Sequence, residues 1–95
     1  MTTSEELRRG EQARQLLQNE LYVDSIEQVK QAIIDKWQQA PLRDREGHHE
    51  LKLMLKLLGE LTGYIQTTME TGKMAQIQLD SERKQQLVRR AVGWN

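Results

Sequence analysis

The sequence predicts an all-α protein: an antiparallel helical hairpin with flanking N- and C-terminal helices, which associates into an oligomeric bundle. Three observations predict this fold class. Apolar residues recur at intervals of three and four along residues 45–71, which is helical spacing. The 95-residue chain contains one proline. It has no phenylalanine and only 4% aromatic residues, so we expect a core of aliphatic side chains packed between helices within a single domain.

The first helix is predicted at about residues 4–18. Ser4 is its expected N-cap, and acidic residues follow in the first turn, where the helix dipole favours them. Gly10 weakens this helix by about 1 kcal/mol relative to alanine. Its apolar stripe is narrow and consists of Leu7, Ala13, Leu16 and Leu17.

The second helix is predicted at residues 20–39 and has a regular apolar face. Asn19 either separates it from the first helix or bends one longer helix, and we favour a break or kink there. A turn follows at residues 40–44, because Pro41 pushes Ala40 out of the helical region and Asp44 is a good N-cap. A connection this short makes the flanking helices antiparallel neighbours. The apolar face consists of Tyr22, Ile26, Val29, Ile33 and Trp37.

The third helix is predicted at residues 45–71, ending at Gly72 as a C′ glycine. Its apolar residues cover more than one side, so it has to contact more than one partner. The first side carries Leu51, Leu55, Leu58, Ile65 and Met69, and beside it lie Leu53, Met54, Leu57, Leu61 and Tyr64. The predicted partner interface consists of Leu51, Leu55, Leu58, Gly59, Gly63 and Trp94.

Small residues recur every fourth position on this helix, at Gly59, Gly63 and Thr67. Such a face permits close approach of a second helix backbone. The alternative is that the glycines mark a bend or are merely tolerated.

The C-terminal region is predicted to be helical over about residues 74–92. Residues 73–79 continue as a helix after a kink, and Asp80 or Ser81 then caps a last helix that runs through Val92. Residues 73–95 form a basic tail with a net charge of +3, whereas residues 1–72 carry −3 and the whole chain is neutral. Arg83, Lys84, Arg89 and Arg90 are candidates for nucleic-acid contact through phosphates. The alternative is a solvated face, which the neutral total charge favours.

The chemistry-bearing residues do not form a recognisable site. His48 and His49 are adjacent, so they point about 100° apart on a helix and do not grip one metal ion together. The chain has no cysteine and no glycine-rich phosphate loop. We therefore expect no catalytic residues, no metal, no cofactor and no enzyme activity. The polar N-terminus and the charged residues that interrupt each apolar run predict no signal peptide and no membrane association.

Several short motifs carry a family resemblance: Trp37 to Pro41, then DREG at 44–47, LMLK at 53–56 and METGKM at 69–74. Through these motifs, residues 13–79 resemble small uncharacterised helical proteins of tailed bacteriophages and prophages. The resemblance implies a phage origin among packaging and virion genes, and it implies no catalytic residue.

Together these features predict a non-enzymatic phage accessory protein that acts through helix-mediated protein–protein contacts in virion assembly or head completion. Its partners would be copies of itself and a phage structural protein or a host protein, in the cytoplasm of the bacterial host or in the virion. Two alternatives stay open: a DNA-packaging component resembling a small terminase subunit, and an inhibitor of a host enzyme or defence system.

Overall fold

The computed structural model describes residues 1–93, and within this range the chain is all-α. It has three helices: α1 at Thr3–Leu17, α2 at Glu20–Gln39 and α3 at Arg45–Ala91. The break predicted near Asn19 is confirmed, because the Asn19 side chain accepts a hydrogen bond from the Tyr22 amide and caps α2. The turn is confirmed as well, with Ala40 in extended geometry and Asp44 capping α3 through the Gly47 amide.

The N-cap predicted for the first helix is wrong by two residues. Ser4 lies inside α1, and the cap is Thr2, whose hydroxyl accepts from the Glu5 amide at 3.2 Å. Both residues are good caps. The acidic residues Glu5 and Glu6 do lie in the first turn, as predicted.

Gly72 does not end the third helix, and the predicted helix at 74–92 is not a separate element. α3 continues through Gly72 and through the expected cap positions Asp80 and Ser81, and it is 47 residues long. The left-handed residue that follows α3 is Gly93, with a φ of 73°, and its amide donates to the Arg90 carbonyl at 3.2 Å. The terminating role predicted for Gly72 therefore belongs to Gly93.

Gly72 has a packing role instead. It is buried where α1 crosses α3, directly against Gly10, which is also buried. Ala13 and Ala75 are 5% and 4% exposed and complete a contact made of small side chains. Small residues at a helix crossing let the two backbones approach closely, so the two glycines give up helix propensity in exchange for packing.

The other helix, α2, packs against α3 near the turn. Ile33 is its buried residue. Trp37 meets the ring of His48 edge to face, with the ring centroids 6.1 Å apart. His48 Nε2 in turn donates to the carbonyl oxygen of Pro41 at 3.0 Å. These contacts hold the start of α3 against the end of α2.

The molecule is elongated, with principal extents of 76 × 25 × 17 Å. Its radius of gyration is 21.5 Å, whereas a compact chain of this length would have about 12 Å. Its accessible surface is 8057 Å², which is about 2,400 Å² more than the roughly 5,700 Å² expected for a compact monomer of this mass. A long single helix with short neighbours leaves much of its apolar surface in water.

Candidate protein-interaction surface

The predicted interface residues Leu51, Leu55 and Leu58 are half-buried by their own chain. Leu55 lines a groove with Ile34 and Trp37 of α2. Leu51 and Leu58 share its helix face, since they lie four residues before it and three after it. This side of α3 therefore serves mainly the contact with α2. Trp94, the last residue of the predicted interface, lies outside the described residues.

A second apolar row of α3 is exposed, and we call it the α3 seam. Its central residues Leu57 and Leu61 are 63% and 51% exposed. The spacing of three, four and three between residues 54, 57, 61 and 64 keeps the row on one face for about three turns. The α3 seam consists of Leu53, Met54, Leu57, Leu61 and Tyr64, all of them exposed.

The α3 seam continues a row that α1 covers farther along. Met54, Leu61, Thr68 and Ala75 follow one another at intervals of seven, which is one side of a helix in coiled-coil packing. Ala75 is buried and Thr68 is half-buried under α1, whereas Leu61 and Met54 are exposed. The same face is thus packed in its C-terminal half and open in its N-terminal half, because α1 ends at Leu17.

The two ends of the α3 seam differ in charge. At the C-terminal end, Arg9 of α1 donates a hydrogen bond from Nη2 to the Tyr64 hydroxyl at 2.8 Å. Arg8 and Arg9 both line the cleft beside Tyr64. At the N-terminal end, Glu50 lies four residues before Met54, and Glu46 four before Glu50, which continues the row with acidic residues. The seam is therefore apolar in the middle, acidic at one end and basic at the other.

The small-residue face of α3 is open. A Cβ atom built on Gly59 or Gly63 meets no atom within 4 Å in the described chain. These residues point about 120–160° away from Leu57 and Leu61, onto the other side of the helix. The interface predicted from them thus belongs to a different face from the α3 seam.

A groove of about 460 Å³ lies between α2 and α3 near the turn. Trp37 forms one wall and is half exposed, and His48 and His49 form another. The groove is lined mainly by apolar atoms, and Lys52 is its one residue that carries a charge when the histidines are neutral. It is a shallow surface feature beside the α2–α3 contact.

The last turns of α3 project beyond α1. Every residue from Asp80 to Gly93 is exposed, and we call residues 80–91 the α3 arm. Its apolar side chains Leu87 and Val88 are 63% and 61% exposed. The four basic candidates for nucleic-acid contact all lie on this arm: Arg83, Lys84, Arg89 and Arg90.

Glu11 and Arg14 form an ion pair on the surface of α1. The Arg14 guanidinium donates to the Glu11 carboxylate and holds the pKa of Glu11 below its usual value, while the pKa of Arg14 is raised by the same bond. Both side chains are solvent-exposed, and this is an ordinary i, i+3 helix pair. Residues 1–93 bring no three His, Cys, Asp or Glu side chains together in a group suited to a metal ion.

None of the three helices in the described range has a stretch long and apolar enough to cross a membrane. Comparison with known protein families, with curated proteins and with solved structures found no match to this chain.

Proposed function

We propose that the protein is a non-enzymatic bacteriophage accessory protein that binds other proteins through helical faces during virion assembly or head completion, and that it works as a homo-oligomer. One observation carries the proposal: the α3 seam offers about three turns of uncharged, exposed side chains on an ordered helix. A contiguous apolar row of this kind on a soluble surface marks a protein-interaction site.

The chain has more accessible surface than a compact monomer of its mass, and this supports the proposal that it is a homo-oligomer. A stable protein–protein interface removes about 800 Å² from each partner. An excess of roughly 2,400 Å² over a compact monomer leaves room for such an interface and for a second one. Association is also the ordinary way in which a chain this small covers apolar surface that it cannot bury alone.

In the proposed protein, α2 and α3 form an antiparallel hairpin that closes at residues 40–44. The contact between Trp37 and His48 and the bond from His48 to Pro41 support it, because they join the end of one helix to the start of the next. The hairpin would hold the α3 seam straight and present it to a partner.

The phage origin rests on the resemblance of residues 13–79 to small phage and prophage proteins. With that origin, the site of action would be the cytoplasm of the bacterial host or the virion. A portal, capsid or other structural protein is then the expected partner.

The test is affinity capture with tagged protein from lysates of phage-infected and uninfected bacteria. We expect a phage structural protein to be captured by the wild type and by Leu87→Glu, but not by Leu57→Glu. Leu57 and Leu87 lie on the same helix and are each 63% exposed, so the pair controls for the loss of a surface leucine. Capture of a host enzyme instead would favour the inhibitor alternative, and equal capture by both variants would contradict the proposal.

DNA packaging is the second candidate, and the α3 arm favours it. Four basic side chains lie on an exposed helix that projects from the rest of the molecule, and residues 83–93 contain no acid. Such a helix can follow a phosphate backbone. Four phosphate contacts would give a slope of about −3.6 in a plot of log K against log salt concentration.

A titration of duplex DNA at several salt concentrations tests this candidate. The double variant Arg89→Glu/Arg90→Glu should bind more weakly and with a shallower salt slope. Absence of binding to the wild type at low salt would eliminate DNA packaging as a function of the arm.

A further inference from the structure

We infer that the α3 seam is an interface with a second copy of this chain, in which the two α3 helices cross antiparallel about a two-fold axis between Leu57 and Leu61. This inference rests on the proposed function for the homo-oligomer and deepens it by assigning the α3 seam to the contact between copies. A phage protein would then bind the dimer, and Leu57→Glu would lose capture because it loses the dimer.

The middle of the seam fits a copy of itself. A two-fold axis makes an interface isologous, so each residue has to match the residue that symmetry places opposite it. With the axis near residue 59, Leu57 meets Leu61 of the second copy, and Met54 meets Tyr64 of the second copy. All four positions are apolar or aromatic and exposed, and none of them brings a charge to the centre of the contact.

The charges at the seam ends select the antiparallel direction. Glu50 lies at one end of the row, and Arg9 is bound to Tyr64 at the other end. In the antiparallel arrangement, Glu50 of each copy comes near Arg9 of the other, and the favourable pair occurs twice. A parallel arrangement would bring glutamate near glutamate and arginine near arginine, which is unfavourable.

The α3 seam is short, and its length fits two helices that cross at an angle rather than two helices that lie side by side over their whole length. Helices in globular proteins most often cross at about 50°, and they then diverge on both sides of the contact. The seam spans residues 53–64, about three turns, between the acidic first turns of α3 and the end of α1.

The chain exposes more surface than a compact monomer of its mass, which leaves area for a dimer contact. About 800 Å² from each chain makes an interface of standard size. That area is about one third of the chain's excess over a compact monomer. Because Leu57 and Leu61 are exposed in the single chain, a substitution there can remove the contact without unfolding the protein.

Sedimentation velocity at micromolar concentration tests the surface. We expect the wild type and Leu87→Glu to sediment as dimers and Leu57→Glu to sediment as a monomer, with a dissociation constant raised at least tenfold. Circular dichroism should give all three the same helix content. A monomeric wild type, or a Leu57→Glu variant that dimerises like Leu87→Glu, would overturn the inference.

Charge reversal tests the pairing with the side chains of the α3 seam unchanged, and Arg9→Glu also removes the hydrogen bond from Arg9 to the Tyr64 hydroxyl. Glu50→Arg and Arg9→Glu should each weaken the dimer by roughly tenfold, because each change affects two surface pairs. The two changes in one chain restore opposite charges across the axis, so the double variant should recover most of the affinity. If the double variant dissociates as readily as the sum of the two single effects predicts, the pairing of Glu50 with Arg9 is contradicted.

A distance measurement tests the direction. The chain has no cysteine, so Gln78→Cys introduces a single site for a spin label on the exposed face of α3. Gln78 is about 28 Å along the helix from the axis. Two labels would then be about 50 Å apart in the antiparallel crossing and about 25 Å apart in a parallel one. The short distance would overturn the inference.

The inference and the proposed function can fail separately. A wild type that is monomeric, yet captures a phage structural protein through Leu57, would support the binding of phage proteins and contradict both the homo-oligomer and the two-fold dimer. A dimer with the expected distance, from a chain that captures no phage protein, would support the two-fold dimer and contradict the proposed role in virion assembly.

Discussion

Gly10 of α1 and Gly72 of α3 lie against each other at the centre of the helix crossing. A Cβ atom on Gly10 would be 2.6 Å from the Gly72 Cα, and a Cβ on Gly72 would be 2.7 Å from the Gly10 Cα. Real Cβ atoms do not approach backbone atoms so closely. The position of α1 on the long helix therefore depends on both residues lacking a side chain.

The first prediction concerns Gly72→Ala. Alanine gains about 1 kcal/mol of helix propensity, but it forces the two backbones apart, and overpacking of this kind costs about 1–3 kcal/mol. We expect the free energy of unfolding to fall by about 1 kcal/mol, with a larger loss for Gly72→Val because it adds two further methyl groups. Urea denaturation followed by circular dichroism measures the change. An unchanged or raised midpoint for both variants would mean that α1 does not need this contact.

The opposite result is expected at Gly59 and Gly63, which lie on the same helix. A Cβ atom at either position meets open space, so Gly59→Ala and Gly63→Ala should each raise the free energy of unfolding by about 0.5–1 kcal/mol. The same two variants should leave the dissociation constant of the proposed dimer unchanged, since they lie on the other side of α3 from the α3 seam. If either variant dissociates the protein, a partner packs closely on the small-residue face, as the sequence pattern suggests.

The sequence predicts the elements that depend on local signals. Asp44 and Asn19 are recognisable caps, and Pro41 fixes the turn, so the bounds of α2 follow from the residues alone. Gly72 and Gly10 are different. A glycine after a long apolar run has the same local signature whether it ends a helix or lets another helix approach, and only the position of α1 decides between them.

The candidate interaction surface also depends on how the helices pack, which the sequence alone does not give. Apolar residues on two sides of α3 predict two contacts, but the sequence does not assign the sides. The structure shows that Leu51, Leu55 and Leu58 are half-buried by the chain's own helices. The α3 seam, which lies beside them on the same helix, is exposed. The signal that finds the row is the interval of seven from residue 54 to residue 75, which becomes informative once α1 is known to cover only its second half.

Replacing each of the two tyrosines by phenylalanine should change the free energy of unfolding in opposite directions. The hydroxyl of Tyr22 is buried and has no hydrogen-bond partner among the described residues, so Tyr22→Phe should raise the free energy of unfolding by about 1 kcal/mol. Tyr64 accepts a hydrogen bond from Arg9 on the surface, so Tyr64→Phe should lower it by about 0.5 kcal/mol. Thermal unfolding of both variants measures the difference. A destabilised Tyr22→Phe variant would mean that the hydroxyl is hydrogen-bonded in solution.

The adjacent histidines should also differ. His48 is half-buried, donates to the Pro41 carbonyl and meets the Trp37 ring edge to face. His48→Ala should therefore lower the free energy of unfolding by about 1–2 kcal/mol, from one hydrogen bond and one aromatic contact. His49 is exposed, and His49→Ala should change the free energy by less than about 0.5 kcal/mol. Chemical denaturation of the pair at neutral pH measures both values, and equal losses would show that the histidines contribute only helix propensity.

The last prediction concerns the α3 arm. No other helix covers residues 80–91, and a helical segment of this length is marginal without packing. Hydrogen exchange should therefore be fast in the arm and at least about 100-fold slower in residues 65–75, which α1 covers, because covered amides exchange only after a larger opening. Mass spectrometry of exchanged peptides measures both segments in one sample.

Added duplex DNA should slow exchange in the arm alone if the basic residues bind phosphates, with Arg89→Glu/Arg90→Glu as the control. Slow exchange of the arm in the free protein would show instead that a second copy covers it, which would place an interface on the arm rather than on the α3 seam alone.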